Sequence, residues 1–291
     1  MIIVRLNGGL GNQLFQYAFG RRLSEMHQVP LKLDIRWFEK KIRDYELPNF
    51  CIKEDIATDK EVALTTRMTT SWQNRLARNI IQPLLPYYRR CQVIERQGGF
   101  DSKLLKTKPN IYLVGYWQNE QYFKTIENTL RTELAFKNHL DERNNIIANQ
   151  INRTNAVSLH IRRGDYITNS EYQRIFGTCS LDYYNRAIQV ICDKLSNPHF
   201  YVFSDDILWA TENLKIPYPV TLISHNHGVN SYRDMQLMSL CKHNIIANST
   251  FSWWGAWLNE RQDKIVIAPK TWYADKAKNK QNLVPERWIR L

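Results

Sequence analysis

Hydrophobic residues in this chain recur with two different periods. In 156–161, AVSLHI, the apolar Val157, Leu159 and Ile161 alternate with Ser158 and His160, and Arg162 continues the polar face, which is the period of two expected of a strand. His160 and Arg162 therefore share a face and meet at the strand's carboxyl end, where Arg163, Gly164 and Asp165 follow at once. Gly164 stands where a tight turn out of the strand calls for a positive φ. Short apolar runs at 1–6, 31–34, 111–116, 199–203, 220–223, 244–247 and 264–268 read as further strands. Helical spacing marks 12–28, with Leu14, Phe15, Ala18, Phe19 and Leu23 on one side, and then 120–134, 139–152, 180–195 and 231–242. Strands alternating with helices predict the α/β class with mainly parallel sheets. A length of 291 residues suits two domains. The polar NRTN at 152–155 separates a helix from a strand and sets the expected boundary, giving domains 1–153 and 154–291, with the tail 276–291 packing back on the first. Residues 36–110 have the weakest pattern and read as packing and solvated surface.

In the second half, each strand runs into a polar cluster: Ser204, Asp205 and Asp206; then His225, Asn226 and His227; then Asn248, Ser249, Thr250, Phe251 and Ser252. A parallel sheet lining one binding crevice has this arrangement. Arg162 offers a planar fork to a phosphate, or else forms a solvated pair with a nearby aspartate. Asp205 and Asp206 could approach a divalent ion, but adjacent carboxylates point apart, so one of them capping the next helix is the favoured reading. His225 and His227 have no third ligand close in sequence and read as loop residues. Asp234, three residues after Ser231, completes a capping box or accepts from N1–H and the exocyclic amine of a guanine. The start of the helix after Asn248 suits phosphate oxygens, and its tryptophans suit the core. Near the amino terminus Gly9 and Gly11 resemble a dinucleotide turn, but Leu14 replaces the third glycine. Asn12 and Gln13 there either face a ligand or, for Asn12, cap the helix. Tyr116 and Trp117 beside Gln118 form a sugar platform or a core pair.

Charge narrows the partners. Forty basic against 28 acidic residues give +12, which favours an anionic ligand. The basic residues are dispersed, unlike those of a nucleic-acid-binding element. Five cysteines, odd in number and without CxxC spacing, point to a reducing compartment and against a zinc site or disulfide frame. No apolar run reaches the roughly 18 residues of a spanning helix, and MIIVRLNGG is no signal peptide, so a cytoplasmic protein with at most peripheral membrane contact is expected.

Taken together, GGLGNQLFQYAFG (8–20), GYWQNE (115–120), SLHIRRGDY (158–166), FSDD (203–206) and LMSLCKHNIIANSTFSWWGAWL (237–258) resemble the α-1,2-fucosyltransferases of glycosyltransferase family 11, specifically the bacterial type. The resemblance keeps the family's order and covers nearly the whole chain. It implies a GT-B-like pair of Rossmann-type domains facing a central cleft, the first mainly on the acceptor side and the second binding GDP-fucose. The implied reaction is inverting transfer of L-fucose from GDP-β-L-fucose to the 2-hydroxyl of a terminal β-galactoside in a surface glycan, with no metal or other cofactor. By position, Arg162 resembles the arginine on the donor β-phosphate, His160 and Asp234 the residues that hold guanine, and Ser249, Thr250, Phe251 and Ser252 the segment that closes on the diphosphate. Asn12 and Gln13 resemble amides facing donor and acceptor, Tyr116, Trp117 and Gln118 become acceptor candidates, and Asp165 is the first choice for the catalytic base. A lipid-linked oligosaccharide at the inner face of the membrane is the implied acceptor. The rival readings are another GDP-sugar transferase with a different linkage and a basic nucleic-acid-binding protein.

Overall fold

A computed structural model describes residues 1–67, 71–96, 98–275 and 283–291. The chain divides into two units, Met1–Lys137 with Gln281–Leu283, and Asn138–Lys280 with Val284–Leu291.

The first unit is built on strands β1 (Ile2–Arg5), β2 (Leu31–Asp34), β3 (Gln92–Ile94) and β4 (Ile111–Val114), paired in parallel in the order β2-β1-β4-β3. Ile2, Ile3 and Val4 are all buried, as expected of a parallel strand covered on both faces. Helix α1 (Leu10–His27) buries the predicted Leu14, Phe15, Ala18, Phe19 and Leu23, but starts two residues early, with Gly9 at its N-cap. It packs so closely that a Cβ on Gly20 would come within 2.3 Å of Val4 Cγ2. Strand β3 falls inside the stretch read as surface, because three residues with one core side chain, Val93, are too few to show a period. The helix expected at 120–134 is α-helical only over Glu127–Glu133, after two 3-10 turns.

The second unit holds helix α2 (Glu142–Arg153), β5 (Asn155–Ile161), the short α3 (Gly164–Thr168), α4 (Leu181–Lys194), β6 (Pro198–Ser204), α5 (Ile207–Asn213), β7 (Val220–Ile223), α6 (Tyr232–Leu240), β8 (His243–Ile245), α7 (Thr250–Leu258), β9 (Val266–Ala268) and β10 (Ile289–Arg290). Its parallel sheet runs β10-β9-β8-β5-β6-β7. Counted from the first strand of this unit, that is the Rossmann order 3-2-1-4-5-6 read from the β7 edge. The order reverses between β5 and β8, and ligands of open α/β sheets bind beyond the strand ends at such a reversal. Val157, Leu159 and Ile161 of β5 pack on Tyr183, Tyr184, Ala187, Ile188 and Ile191 of α4. Ile147, Ala148 and Ile151 of α2 join Ala156, Tyr201, Phe203, Leu237 and Met238 in a second core.

That second core corrects the domain boundary. Helix α2 belongs to the second unit, so the division falls between Lys137 and Asn138, and not at 153. The polar NRTN only ends a helix inside one unit, with Thr154 as its C-cap. The tail is corrected in part. Residues 276–282 of it lie outside the described residues and Leu283 falls in the first unit, while Val284–Leu291 belongs to the second unit and contributes β10.

Candidate functional site

The reversal point is occupied by the residues that leave β5. Arg162 Nη2 donates to Asp165 Oδ1 at 2.7 Å, its Nη1 lies 2.9 Å from Asp205 Oδ2, and its guanidinium lies 5.5 Å from the ring centroid of Tyr166. Two carboxylates from two elements thus orient one planar fork. Each Nη carries a second hydrogen, so this clamp leaves donors for an anion. Asp205 also accepts the backbone N–H of Arg163 at 2.8 Å. Asp206 accepts from Arg163 Nε at 3.1 Å and caps α5 through Trp209 N at 3.1 Å. The adjacent aspartates therefore divide their work: one braces arginine, and the other caps a helix, as their opposed directions suggested. Arg163 completes the brace by lying 4.2 Å from the ring centroid of Trp209.

Gly164 does not serve the expected purpose. It opens α3 and is not among the positive-φ glycines. It is required by space, because a Cβ there would meet Asp205 Oδ2 at 2.8 Å.

At the carboxyl end of β8, Asn248 and Ser249 are buried and lead into α7, whose N-cap Ser249 makes no side-chain cap bond. Helix α7 begins at Thr250, so Thr250, Phe251 and Ser252 form its first turn, where backbone N–H groups and the helix dipole favour an anion. Ser252 Oγ donates back to the carbonyl of Ser249 at 3.3 Å. Trp253, Trp254 and Trp257 are fully buried, which anchors the turn. Asn248, a member of the strand-end cluster to which the sequence assigns no individual role, has an amide that donates to the carbonyls of Phe176, Gly177 and Trp272 at 3.0–3.2 Å and an oxygen that accepts from the thiol of Cys179 at 3.5 Å. Nothing local distinguishes it from any asparagine at a strand end.

His160 is buried one turn of pleat before Arg162, with its ring centroid 5.9 Å from that of Phe251. Burial lowers its pKa to about 4, so the imidazole is neutral near pH 7. Its Nδ1 is buried without a hydrogen-bond partner. Asp234 belongs to a second cluster, beyond β7. Its Oδ1 accepts from Asn226 Nδ2 at 2.8 Å, and Asn226 and Asn144 exchange amide bonds at 2.9 and 3.0 Å. His225 Nε2 lies 3.1 Å from Asn144 Oδ1, so it is a member of this network and not a mere loop residue. Burial raises the carboxyl of Asp234 to about 7. The capping box is absent, since Ser231 makes no side-chain cap bond to α6.

The amide residues of the first unit are arranged differently from expectation. Asn12 lies inside α1 and accepts from Gln118 Nε2 at 2.7 Å. Gln13 is buried; it donates to the carbonyls of Gly8 and Asp44 at 3.1 and 2.8 Å and accepts from Glu46 N at 2.9 Å. Its amide hydrogens are already used, which makes it a loop brace and removes it from the ligand-contacting set. Gln16, unflagged in the sequence, does the same for Asn7 and Gly115. Trp117 is fully buried at φ 56°, 4.8 Å from the ring of Phe19, so it is core and not a sugar platform. Tyr116 is 42% exposed. Glu95 accepts from the backbone N–H groups of Tyr116 and Trp117 at 2.6 and 3.2 Å and fixes this turn, while burial pushes its carboxyl upward. Trp117→Ala is expected to destabilise the chain by about 3–5 kcal/mol in urea unfolding, the cost of an unfilled large cavity.

The fold and the relatives of this chain define its class, a glycosyltransferase of GT-B-like fold. The chain belongs to glycosyl transferase family 11, whose sequence model matches residues 1–291. It is similar to the alpha-1,2-colitosyltransferase of Escherichia coli, at 34% identity over 299 residues covering 100% of this chain and 99% of that protein. It is equally similar to the Escherichia coli O-antigen biosynthesis glycosyltransferase WbnK, at 34% over 303 residues, covering 98% and 99%. Human galactoside alpha-(1,2)-fucosyltransferase 1 is 26% identical over 160 residues, covering 52% of this chain and 43% of its own length. Among solved structures the fucosyltransferase NodZ from Bradyrhizobium superposes with a TM-score of 0.50 at 12% identity, covering 87% of this chain and 92% of NodZ, a likeness of fold.

Proposed function

We propose that this glycosyltransferase moves L-fucose from GDP-β-L-fucose to the 2-hydroxyl of a terminal β-galactoside of a surface glycan, by inverting displacement. The bond from C1 to the β-phosphate oxygen breaks, the bond from C1 to the galactose oxygen forms, and the hydroxyl proton leaves to a base or to water. The observation that carries the reading is the Arg162 fork, clamped by Asp165 and Asp205 at the sheet's reversal point. Oriented N–H donors facing the departing diphosphate stabilise the charge that develops there. In this role Arg162, with the first turn of α7, stands in for a divalent ion. Asp165 either accepts the acceptor's proton or only aligns the fork. An unchanged acidic limb and rate in Asp165→Asn would assign it the second role. The test of the whole is incubation with GDP-fucose, lactose and EDTA, followed by linkage analysis. An α-1,2-fucosylated product formed in the chelator supports the reading, and turnover that returns only with manganese overturns it.

The relatives favour one alternative donor. Colitose is fucose without its 3-hydroxyl, and one full-length relative is named for it. Competition between GDP-fucose and GDP-colitose at equal concentration decides the sugar, and neither outcome changes the fork's task.

Asp234 and His160 are proposed to hold guanine. A carboxylate accepts from N1–H and the exocyclic amine, whereas a carboxyl held protonated up to about pH 7 cannot accept from both in the same way. GDP binding then requires loss of that proton. Affinity measured by calorimetry should weaken as pH falls below about 7, by up to about tenfold per unit, and Asp234→Asn should flatten the profile. His160, lowered to about 4 by burial, is neutral near pH 7. Folding stability should run in the opposite sense. Asp234 rises from 3.8 to about 7 on folding, so between these values the folded state binds the extra proton and stability falls as pH rises. The melting temperature of Asp234→Asn, relative to the parent, should climb from pH 4 to pH 7 and level off above.

A further inference from the structure

Residues 72–84 of the first unit are helical throughout, as Trp72–Leu76, the wider turn Ala77–Ile81 and Gln82–Leu84. Trp72, Leu76, Ile80 and Leu84 recur at every fourth position and are 71%, 46%, 56% and 81% exposed. Residues four apart share one helix face, so these four large apolar groups form a stripe open to solvent, with Ile81 exposed beside it. Gln82 Oε1 accepts from Cys91 N at 2.7 Å, which ties the segment to the stretch leading into β3.

The charge of this stretch is one-sided. Between Glu61 and Glu95 the sequence has no acidic residue and five arginines, Arg67, Arg75, Arg78, Arg89 and Arg90. The short range of the arginines fixes them close to the stripe: Arg90 donates to the carbonyls of Pro83 and Leu85 at 2.9 and 3.1 Å, and Arg78 Nε donates to Asn79. An apolar stripe flanked by Arg78 and Arg90 is complementary to a surface that offers acyl chains below and anionic headgroups above. An acidic protein partner would leave the stripe without a matching depth of apolar material. Among the described residues no helix is long and apolar enough to cross a membrane, so the stripe could only lie in the interface.

We propose that the helical segment 72–84 docks this protein on an anionic lipid bilayer, with Trp72, Leu76, Ile80 and Leu84 in the headgroup boundary and the neighbouring arginines on the phosphates. This inference is independent of the donor and acceptor proposed above. It is tested by co-sedimentation of the full chain with vesicles of phosphatidylglycerol and phosphatidylcholine, against vesicles of phosphatidylcholine alone. Binding should require the anionic lipid and weaken with salt. Leu84→Glu and Ile80→Glu should each reduce it by about tenfold or more, the scale of burying one large aliphatic side chain. Arg78→Gln and Arg89→Gln should each cost about fivefold. Brominated acyl chains should quench the fluorescence that Trp72→Phe removes. Trp72, Ile80, Leu84 and Arg89 are exposed and Arg78 half-buried, and circular dichroism with turnover on a soluble acceptor should match the parent, which separates docking from folding and chemistry. The proposal is overturned by absence of binding to the anionic vesicles, by binding that the Glu variants leave unchanged, or by a dimer in sedimentation equilibrium that Leu84→Glu converts to monomer.

Discussion

Arg162→Lys is expected to lower kcat by about 10² to 10³ with donor and acceptor saturating, the range found when one donor to a developing oxyanion is removed. The physical reason is directional. The guanidinium reaches Asp165 and Asp205 through different Nη atoms and still presents in-plane hydrogens beyond them. An ammonium can satisfy one carboxylate or approach both loosely, but it cannot hold a fork toward a third group. Positive charge between the two aspartates is retained, so the melting temperature should change little, and a loss of rate cannot be ascribed to unfolding. GDP affinity should fall less than kcat if the contact strengthens as the sugar departs. Full turnover in the lysine enzyme would remove Arg162 from the mechanism.

Gly164→Ala is expected to reduce kcat by about tenfold to a hundredfold without contact to substrate. The new methyl would stand 2.8 Å from Asp205 Oδ2 and 3.1 Å from its Cγ. Asp205 cannot swing aside freely, because its two oxygens hold Arg162 Nη1 and the N–H of Arg163. Moving it tilts the fork, and a misplacement near 1 Å in a positioned group costs about this much. Gly164 opens the short α3, where alanine is a better helix former than glycine, so the stability change should be small. Rate and melting temperature measured on the same preparation would separate the two effects. Parent-like activity would mean that the carboxylate yields without disturbing Arg162.

Much of the second unit was legible from the chain alone. A period of two in 156–161 placed His160 and Arg162 on one face at a strand end, and parallel strands ending in polar residues predicted a crevice at one edge of the sheet. The family motifs fixed the class. The apolar side of α1 and the buried tryptophans of α7 were also read correctly, because periodicity and large apolar area act locally.

What escaped was, for several polar and aromatic groups, which partner each one finds. The sequence allows Trp117 as a platform, and it is core; it allows Gln13 as a ligand contact, and Gln13 ties Gly8 to 44–46; Asp165 and Asp205 complete the Arg162 clamp from 3 and 43 positions away. The assignment of α2 to the second unit likewise rests on Tyr201, Phe203 and Leu237, far along the chain. Sequence by itself determined which residues lie on a strand or helix face, since backbone geometry repeats every two or 3.6 residues. Only the tertiary structure decided which of them remain available for a ligand, because a hydrogen-bond donor or an aromatic face is consumed by whichever group the packing of distant segments brings against it.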